Sequence, residues 1–302
     1  MSKLVETVDP RFAEAYHELD PAAMLRKPGD FLDAMCCIVE GLRDGTPFYL
    51  APEVAFRPSE VTLWGGMNGH GKSLLTGQLA MQLAENGEKP CVMSLEMDPE
   101  RTLLRMARQW LGRRPQNALE CTQFVEHFQE MMLLFDFQGA VDLDVLYGAI
   151  VVAAQQKFCT HIFVDNLMKC VAGEDDYNAQ KNFVQTLCAL AKQLRVHIHL
   201  VHHVRKGKDE NEEVGKFSFK GSGAVVDQVD NAILIQRNRS KEKKRLDGVL
   251  TPAEDHTEGD SIMRIVKQRN GDWEGDKVLW FETRAAAFSD NCDRTTPWEA
   301  KK

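Results

Sequence analysis

The stretch Gly66-Met67-Asn68-Gly69-His70-Gly71-Lys72-Ser73 limits what this chain can fold into more than any other. It has the form G-x-x-x-x-G-K-[ST], and its residue types follow from what they must surround. Glycines let the backbone curl until its N–H groups point inward at phosphate oxygens. A helix starting at the lysine adds its positive end. Gly66, Asn68, Gly69, His70, Gly71 and Leu74 are expected to form the cradle. Lys72 would reach the β- and γ-phosphates, and the Ser73 hydroxyl would ligate Mg²⁺. An apolar run, Val61–Trp64, precedes the loop, and an amphipathic stretch, Ser73–Asn86, follows it. The expected ligand is ATP or GTP.

The same alternation continues downstream. Apolar runs at Cys91–Leu95, Leu133–Phe137, His161–Val164 and His197–Val201 alternate with helical stretches at Pro99–Leu111, Asp142–Phe158 and Asn178–Arg195. Strands separated by helices of this length form βαβ units and a mainly parallel sheet. The later runs Ala232–Ile235, Ile262–Val266 and Lys277–Phe281 follow one another directly and predict an antiparallel extension. The fold class is therefore α/β. Residues 1–55 read as an arm or linker with short helices near Arg11–Leu19 and Phe31–Leu42. Residues 56–289 read as one ATPase domain, and residues 290–302 as a polar, disordered tail in which Trp298 is the group suited to docking a partner.

Composition narrows the function. With 43% hydrophobic residues in 302, the chain can bury a full core without metal or disulfide staples. A net charge of −8 excludes a uniformly basic surface, so nucleic acid would be gripped at a local site. Eight cysteines without a C-x-x-C pair indicate reduced thiols in a cytoplasmic setting. No apolar run is long enough to span a membrane, and the acidic opening is not a targeting signal.

Two acidic residues are candidate partners of the phosphate loop. Asp165 ends the apolar run that starts at His161. A parallel strand's C-terminal end faces the ligand crevice, where a carboxylate can hold the Mg²⁺ shell. Glu96 follows another such strand, and on position alone it is equally a general base for water or a surface carboxylate. The segment His203–Phe219 carries Arg205, Lys206, Lys208 and Lys216 among acidic residues, with Lys220, Gly221, Ser222 and Gly223 beyond. It fits a solvated loop, or one meeting a phosphate backbone through backbone N–H groups. The run Lys241–Arg245 reads as a solvated loop. His197, His199 and His203 share a strand face by alternation, and no cysteine or acid stands at ligand spacing from them, which disfavours zinc.

In order, the phosphate loop, Ser94-Leu95-Glu96-Met97, the Asp165 strand, Val201-His202-His203-Val204-Arg205-Lys206, Phe219-Lys220-Gly221-Ser222-Gly223 and Lys267-Gln268-Arg269-Asn270-Gly271 resemble the RecA-like motor domain of DnaB-type hexameric replicative helicases. The phage primase-helicases are the most similar subtype, and the resemblance covers about residues 58–288. It implies a RecA-like P-loop core that hydrolyses ATP with Mg²⁺ as a homo-hexameric ring on single-stranded DNA, travelling 5′→3′. Glu96 would activate water, and His203 would sense the γ-phosphate. Arg205, Lys206 and Lys220 to Gly223 would grip DNA. Lys267 and Arg269 would act on the neighbouring subunit's nucleotide. Arg237 would lie near the base, with Phe281 stacked on it.

The primase module of the phage fusions and the helical N-terminal domain of bacterial DnaB are not found, so primase and DNA polymerase would be separate partners. The setting would be cytoplasmic, the bacterial host's for a phage protein. Two rival readings share these motifs: a RecA/RadA-type recombinase ATPase, and a nucleotide-gated loader or switch that unwinds nothing.

Overall fold

The computed structural model describes residues 25–41, 45–170, 176–204, 223–296 and 298. Two compact units meet in sequence between Gly45 and Thr46. In the first, a 3-10 turn, Pro28–Phe31, leads into helix α1 (Leu32–Val39). The Asp30 carboxylate accepts from the Lys27 backbone N–H at 3.1 Å and fixes the turn. Leu32, Met35, Ile38 and Val39 are exposed on this helix. The helix expected at Arg11–Leu19 lies outside the described residues.

The second unit begins with a hairpin, β1 (Thr46–Phe48) and β2 (Ala51–Phe56), which sequence reading placed in the arm. Phe48, Leu50, Ala51, Val54 and Phe56 are buried against Trp64 and Leu79, so the hairpin belongs to the ATPase core and the arm ends at Gly45. β3 (Val61–Gly66), α2 (Lys72–Glu85), β4 (Pro90–Ser94) and α3 (Pro99–Leu111) follow, then α4 (Ala118–Phe128), β5 (Leu133–Leu134), α5 (Leu143–Gln155), β6 (His161–Asp165), α6 (Tyr177–Leu194) and β7 (His197–His203). The chain continues through α7 (Gly223–Gln228), β8 (Asn231–Arg237), α8 (Arg239–Leu246), α9 (Pro252–Thr257), β9 (Ser261–Gln268), β10 (Gly275–Glu282) and β11 (Ala287–Ser289). No helix among the described residues is long and apolar enough to cross a membrane.

The main sheet has the order β11-β10-β9-β8-β3-β7-β6-β4-β5. β3 sits mid-sheet with all six residues buried, and it pairs in parallel with both β7 and β8. The antiparallel extension therefore starts one strand later than expected, at β9. Helices α8 and α9, absent from the sequence reading, fill the connection before it.

The basic run Lys241–Arg245 is helix, not a solvated loop. Lys241 is fully buried, and its ammonium lies 3.0 Å from both Asp255 and Asp260. A buried ammonium needs such partners, because an unpaired charge there would cost several kcal/mol. Arg245 and Arg294 bind the same two carboxylates from outside. The expected tail is also packed at Thr296 and at Trp298, which is 3% exposed and donates its indole N–H to Glu85 at 3.1 Å. An indole ring in an apolar slot with its polar atom paired outweighs the polar character of its neighbours.

One face of β6 and β7 carries a chain of buried histidines. Trp64 Nε1 donates to His199 Nδ1 at 3.2 Å, and His199 Nε2 lies 3.1 Å from His161 Nδ1. The Trp64 bond leaves Nε2 as the protonated nitrogen of His199, so it donates to His161. His197 is held between Thr62 Oγ1 at 2.8 Å and the Arg57 carbonyl at 2.6 Å. Burial depresses all three basicities, that of His161 to about 3. They are neutral at pH 7.

Candidate nucleotide site

The phosphate loop leaves β3 at its C-terminal end and turns into α2 at Lys72. Gly66 (φ 155°) and Gly71 (φ 91°) are required there. A Cβ on Gly66 would lie 2.6 Å from the Ile235 carbonyl oxygen, and one on Gly71 would lie 2.6 Å from the Phe288 ring. The loop is thus wedged between β8 and β11. Gln78 on α2 holds β11 in place as a strand would, accepting from Phe288 N at 2.7 Å and donating to Phe288 O at 3.0 Å.

Lys72 is buried and donates to the carbonyls of Gly66 and Met67 at 2.7 and 3.0 Å. Burial lowers its pKa to about 8, and the negative charges of Asp165 and Glu96 partly offset this. A phosphate would take over the carbonyls' role and favour the charged ammonium. The loop residues Asn68, Gly69, Gly71, Lys72, Ser73 and Leu74 line a cavity of about 480 Å³. His70 turns away from it and is buried, with Nδ1 3.3 Å from the Ile235 carbonyl. It braces the loop rather than facing the ligand.

β4, β6 and β7 end at the same sheet edge, in register: Ser94 pairs with Asp165, and Asp165 with Val201. This brings Glu96, Asp165 and His203 to the loop. Burial raises the pKa of Asp165, and the neighbouring Ser73 hydroxyl partly offsets this. Its buried Oδ1 has no partner among the described residues. A hydroxyl and an unsatisfied carboxylate oxygen beside a phosphate cradle are the hard oxygen donors Mg²⁺ takes, so these residues fit that ion.

Glu96 and His203 lie 3.6 Å apart and share a partner the sequence reading missed. Asn166 is fully buried, and its amide nitrogen lies 2.6 Å from both Glu96 Oε1 and His203 Nε2. Its amide oxygen accepts from Met168 N at 3.0 Å, which fixes the amide orientation. Its position directly after the strand-ending aspartate was the available signal. Also missed was Arg108, which lines the cavity together with Arg105, one helical turn earlier on α3.

Arg237 donates to the Gly69 carbonyl at 3.1 Å and pairs with Glu242. Phe281 stands at the same edge, 5.1 Å from the Phe288 ring. Lys267 and Arg269 lie elsewhere. β9 runs antiparallel to β8, so Gln268 pairs with Asn231 at the opposite edge. Arg269 binds Asp230 at 2.8 Å, and the Lys267 ammonium donates to the carbonyls of Val226, Asp227 and Val229 at 2.7 to 3.0 Å, around the end of α7. Of the expected DNA-contacting residues, Arg205, Lys206, Lys220, Gly221 and Ser222 lie outside the described residues, and Gly223 opens α7.

A family described as "AAA domain" matches residues 54–209, just over half of the chain. The chain belongs to this AAA domain family. Its fold is that of DnaB-type helicase motor domains. It aligns with a solved, isolated ATPase domain at a TM-score of 0.69 and 14% identity, covering 87% of this chain and 99% of that one. A second structure, of a DnaB-like replicative helicase and its interactions with primase, aligns at 0.64 and 14% identity over 78% of this chain and 59% of that one. No curated protein matches the sequence. The span assigned to the AAA domain runs from β2 past β7 and so contains the phosphate loop, Glu96, Asp165, Asn166 and His203.

Proposed function

We propose that this AAA domain protein is an ATP-driven replicative DNA helicase that works as a ring of six on single-stranded DNA. One observation carries the reading: the Lys267–Arg269 segment sits at the sheet edge opposite the chain's own phosphate loop. The loop leaves β3 at Gly66, whereas Arg269 N bonds Asp230 O and Asp230 N bonds Val61 O. Five strand residues separate those levels, roughly 17 Å at 3.3 Å per residue. An arginine side chain does not span that distance. If Arg269 serves a nucleotide, the nucleotide belongs to another copy.

In this reading Lys72 holds the β- and γ-phosphates, and Ser73 and Asp165 would hold Mg²⁺, which would offset phosphate charge when bound. Glu96 accepts a proton from the attacking water. Asn166 keeps Glu96 and His203 at a fixed separation, so loss of the γ-phosphate at one is felt at the other. His203 ends the strand that precedes Arg205 and Lys206 in sequence, and Lys220 to Ser222 precede α7, which Gly223 opens. Arg237 steadies the loop from the base side, near Phe281. Lys267 ties β9 to α7, so movement of the DNA-facing segment is passed to the strand carrying Arg269. Separate primase and polymerase proteins are the expected partners, with 5′→3′ travel, and the exposed face of α1 docks on a neighbouring copy.

The test is ATPase rate per subunit against protein concentration, with and without single-stranded DNA. The rate should rise steeply with concentration and with DNA. Arg269→Ala should lose about 10³-fold in turnover, and mixing it with Lys72→Ala should restore part of the rate at mixed interfaces. Full turnover by dilute monomers, indifferent to oligonucleotide, would overturn the proposal. ATPase that depends on assembly but separates no forked duplex would favour the loader or switch reading. Open helical filaments with ATP would favour the recombinase.

A further inference from the structure

Away from the nucleotide, His256, Cys292 and Asp293 bring an imidazole, a thiol and a carboxylate together, with their donor atoms all within 4.8 Å of one another. We propose that this trio is a zinc-class metal site that clamps the turn at residues 290–295 to α9.

The donor chemistry is selective. Thiolate, imidazole and carboxylate together suit a borderline-soft ion such as Zn²⁺, whereas Mg²⁺ takes oxygen ligands. The two metal requirements of this chain would therefore not compete. The geometry also fits. Cys292 Sγ lies 3.3 Å from His256 Nε2. Metal bonds of about 2.3 Å to sulfur and 2.0–2.1 Å to nitrogen span that gap at an angle near 100°, close to tetrahedral. The Asp293 carboxylate closes a third position by a side-chain rotation, and the exposed surface leaves the fourth open to water.

The backbones on both sides are already fixed. α9 starts at a reciprocal cap in which Thr251 and Glu254 satisfy each other. Asp255, beside His256, is held by Lys241, Arg245 and Arg294. Opposite, Asn291 N bonds Ser289 Oγ at 3.2 Å, Arg294 N bonds Asn291 O at 3.1 Å, and Thr295 N bonds Asn291 Oδ1 at 3.2 Å. Cys292 and Asp293 thus sit on a turn held at both ends, and little entropy is left to lose on binding. On binding, Cys292 gives its thiol proton to solvent and the sulfur coordinates as thiolate.

The experiment titrates the full chain, reduced with a phosphine, with Co²⁺ as an optical probe. One equivalent should raise a thiolate-to-cobalt absorption band, and one equivalent of Zn²⁺ should bleach it, with no effect of excess Mg²⁺. Cys292→Ser should abolish the band. His256→Gln and Asp293→Asn should weaken binding while the band keeps its thiolate character. The double variant Cys36→Ser, Cys37→Ser, which removes other accessible thiols, should leave it unchanged. Zn²⁺ should also raise the melting temperature of the unaltered chain but not of Cys292→Ser. No band, or a band that persists in Cys292→Ser, would overturn the site. Binding by Asp293→Asn or His256→Gln as tight as that of the unaltered chain would overturn the trio.

Discussion

β6 and β7 each carry two kinds of polar residue, and their fates differ. Along the strands, His161, His197 and His199 are buried among Trp64, Phe56 and Phe163, with ring nitrogens bonded to one another, to Thr62, to Trp64 and to the Arg57 carbonyl. At the strand ends, Asp165, Asn166 and His203 form a cluster with Glu96 that is tied together but not closed. Among the described residues Asp165 Oδ1 is left without a partner, and Glu96 and His203 border the cavity. A few residues along the same two strands separate a finished network from one waiting for a ligand. Buried polar groups with all bonds made serve the fold, and those with bonds to spare mark where the ligand completes the set.

This contrast breaks most sharply at the open cluster. Lys72→Ala should abolish ATP binding, whereas Glu96→Gln should bind ATP normally and lose about 10³-fold in hydrolysis, seen in single-turnover assays. Normal turnover by Glu96→Gln would remove it from the role of base. Asn166→Ala should lower turnover by about 10²-fold through misplacement of Glu96 and His203. Affinity for a non-hydrolysable ATP analogue should stay close to that of the unaltered chain. A matching loss of affinity would make Asn166 a ligand contact rather than a positioning residue.

The closed network should answer to acid instead. Its histidines are held neutral, with His161 lowered to about 3, so the unfolded chain binds more protons between that value and the ordinary histidine pKa. Stability is then fully present above about pH 6.5 and is lost as pH falls. Each such histidine loses roughly 2 kcal/mol by pH 5. The urea midpoint should drop over that window. His199→Phe should flatten the acid dependence, at a cost of about 1–3 kcal/mol at pH 7 for the Trp64 N–H left unpaired. Turnover per folded molecule should not change. An unaltered acid dependence in His199→Phe would place the proton uptake elsewhere.

Much of the parallel half was legible because its strands end in chemistry. The phosphate loop and the Asp165 and His203 strands can be placed from short apolar runs closed by a functional residue, and Asp98-Pro99 with Gly112 bounds α3. The hairpin at residues 46–56 was not legible, because Gly45 and Pro47 read as punctuation, yet a two-stranded edge accepts proline. Helix α8 was hidden by its composition. Five charged residues in a row show no apolar period, and the carboxylates that bury Lys241 come from α9 and the turn before β9. Asn166 fits no motif beyond its place directly after Asp165, and its role shows only in the bonds it makes to Glu96 and His203.

The wedge that Phe288 forms under Gly71 has a consequence for how the protein is made. Phe288 follows Gln78, its partner on α2, by 210 residues. At 5–20 residues per second, roughly 10–40 s pass on the ribosome between synthesis of the nucleotide loop and arrival of the aromatic ring that supports it. Nascent chains within that interval should bind ATP weakly, and competence should come abruptly once β11 has emerged from the exit tunnel.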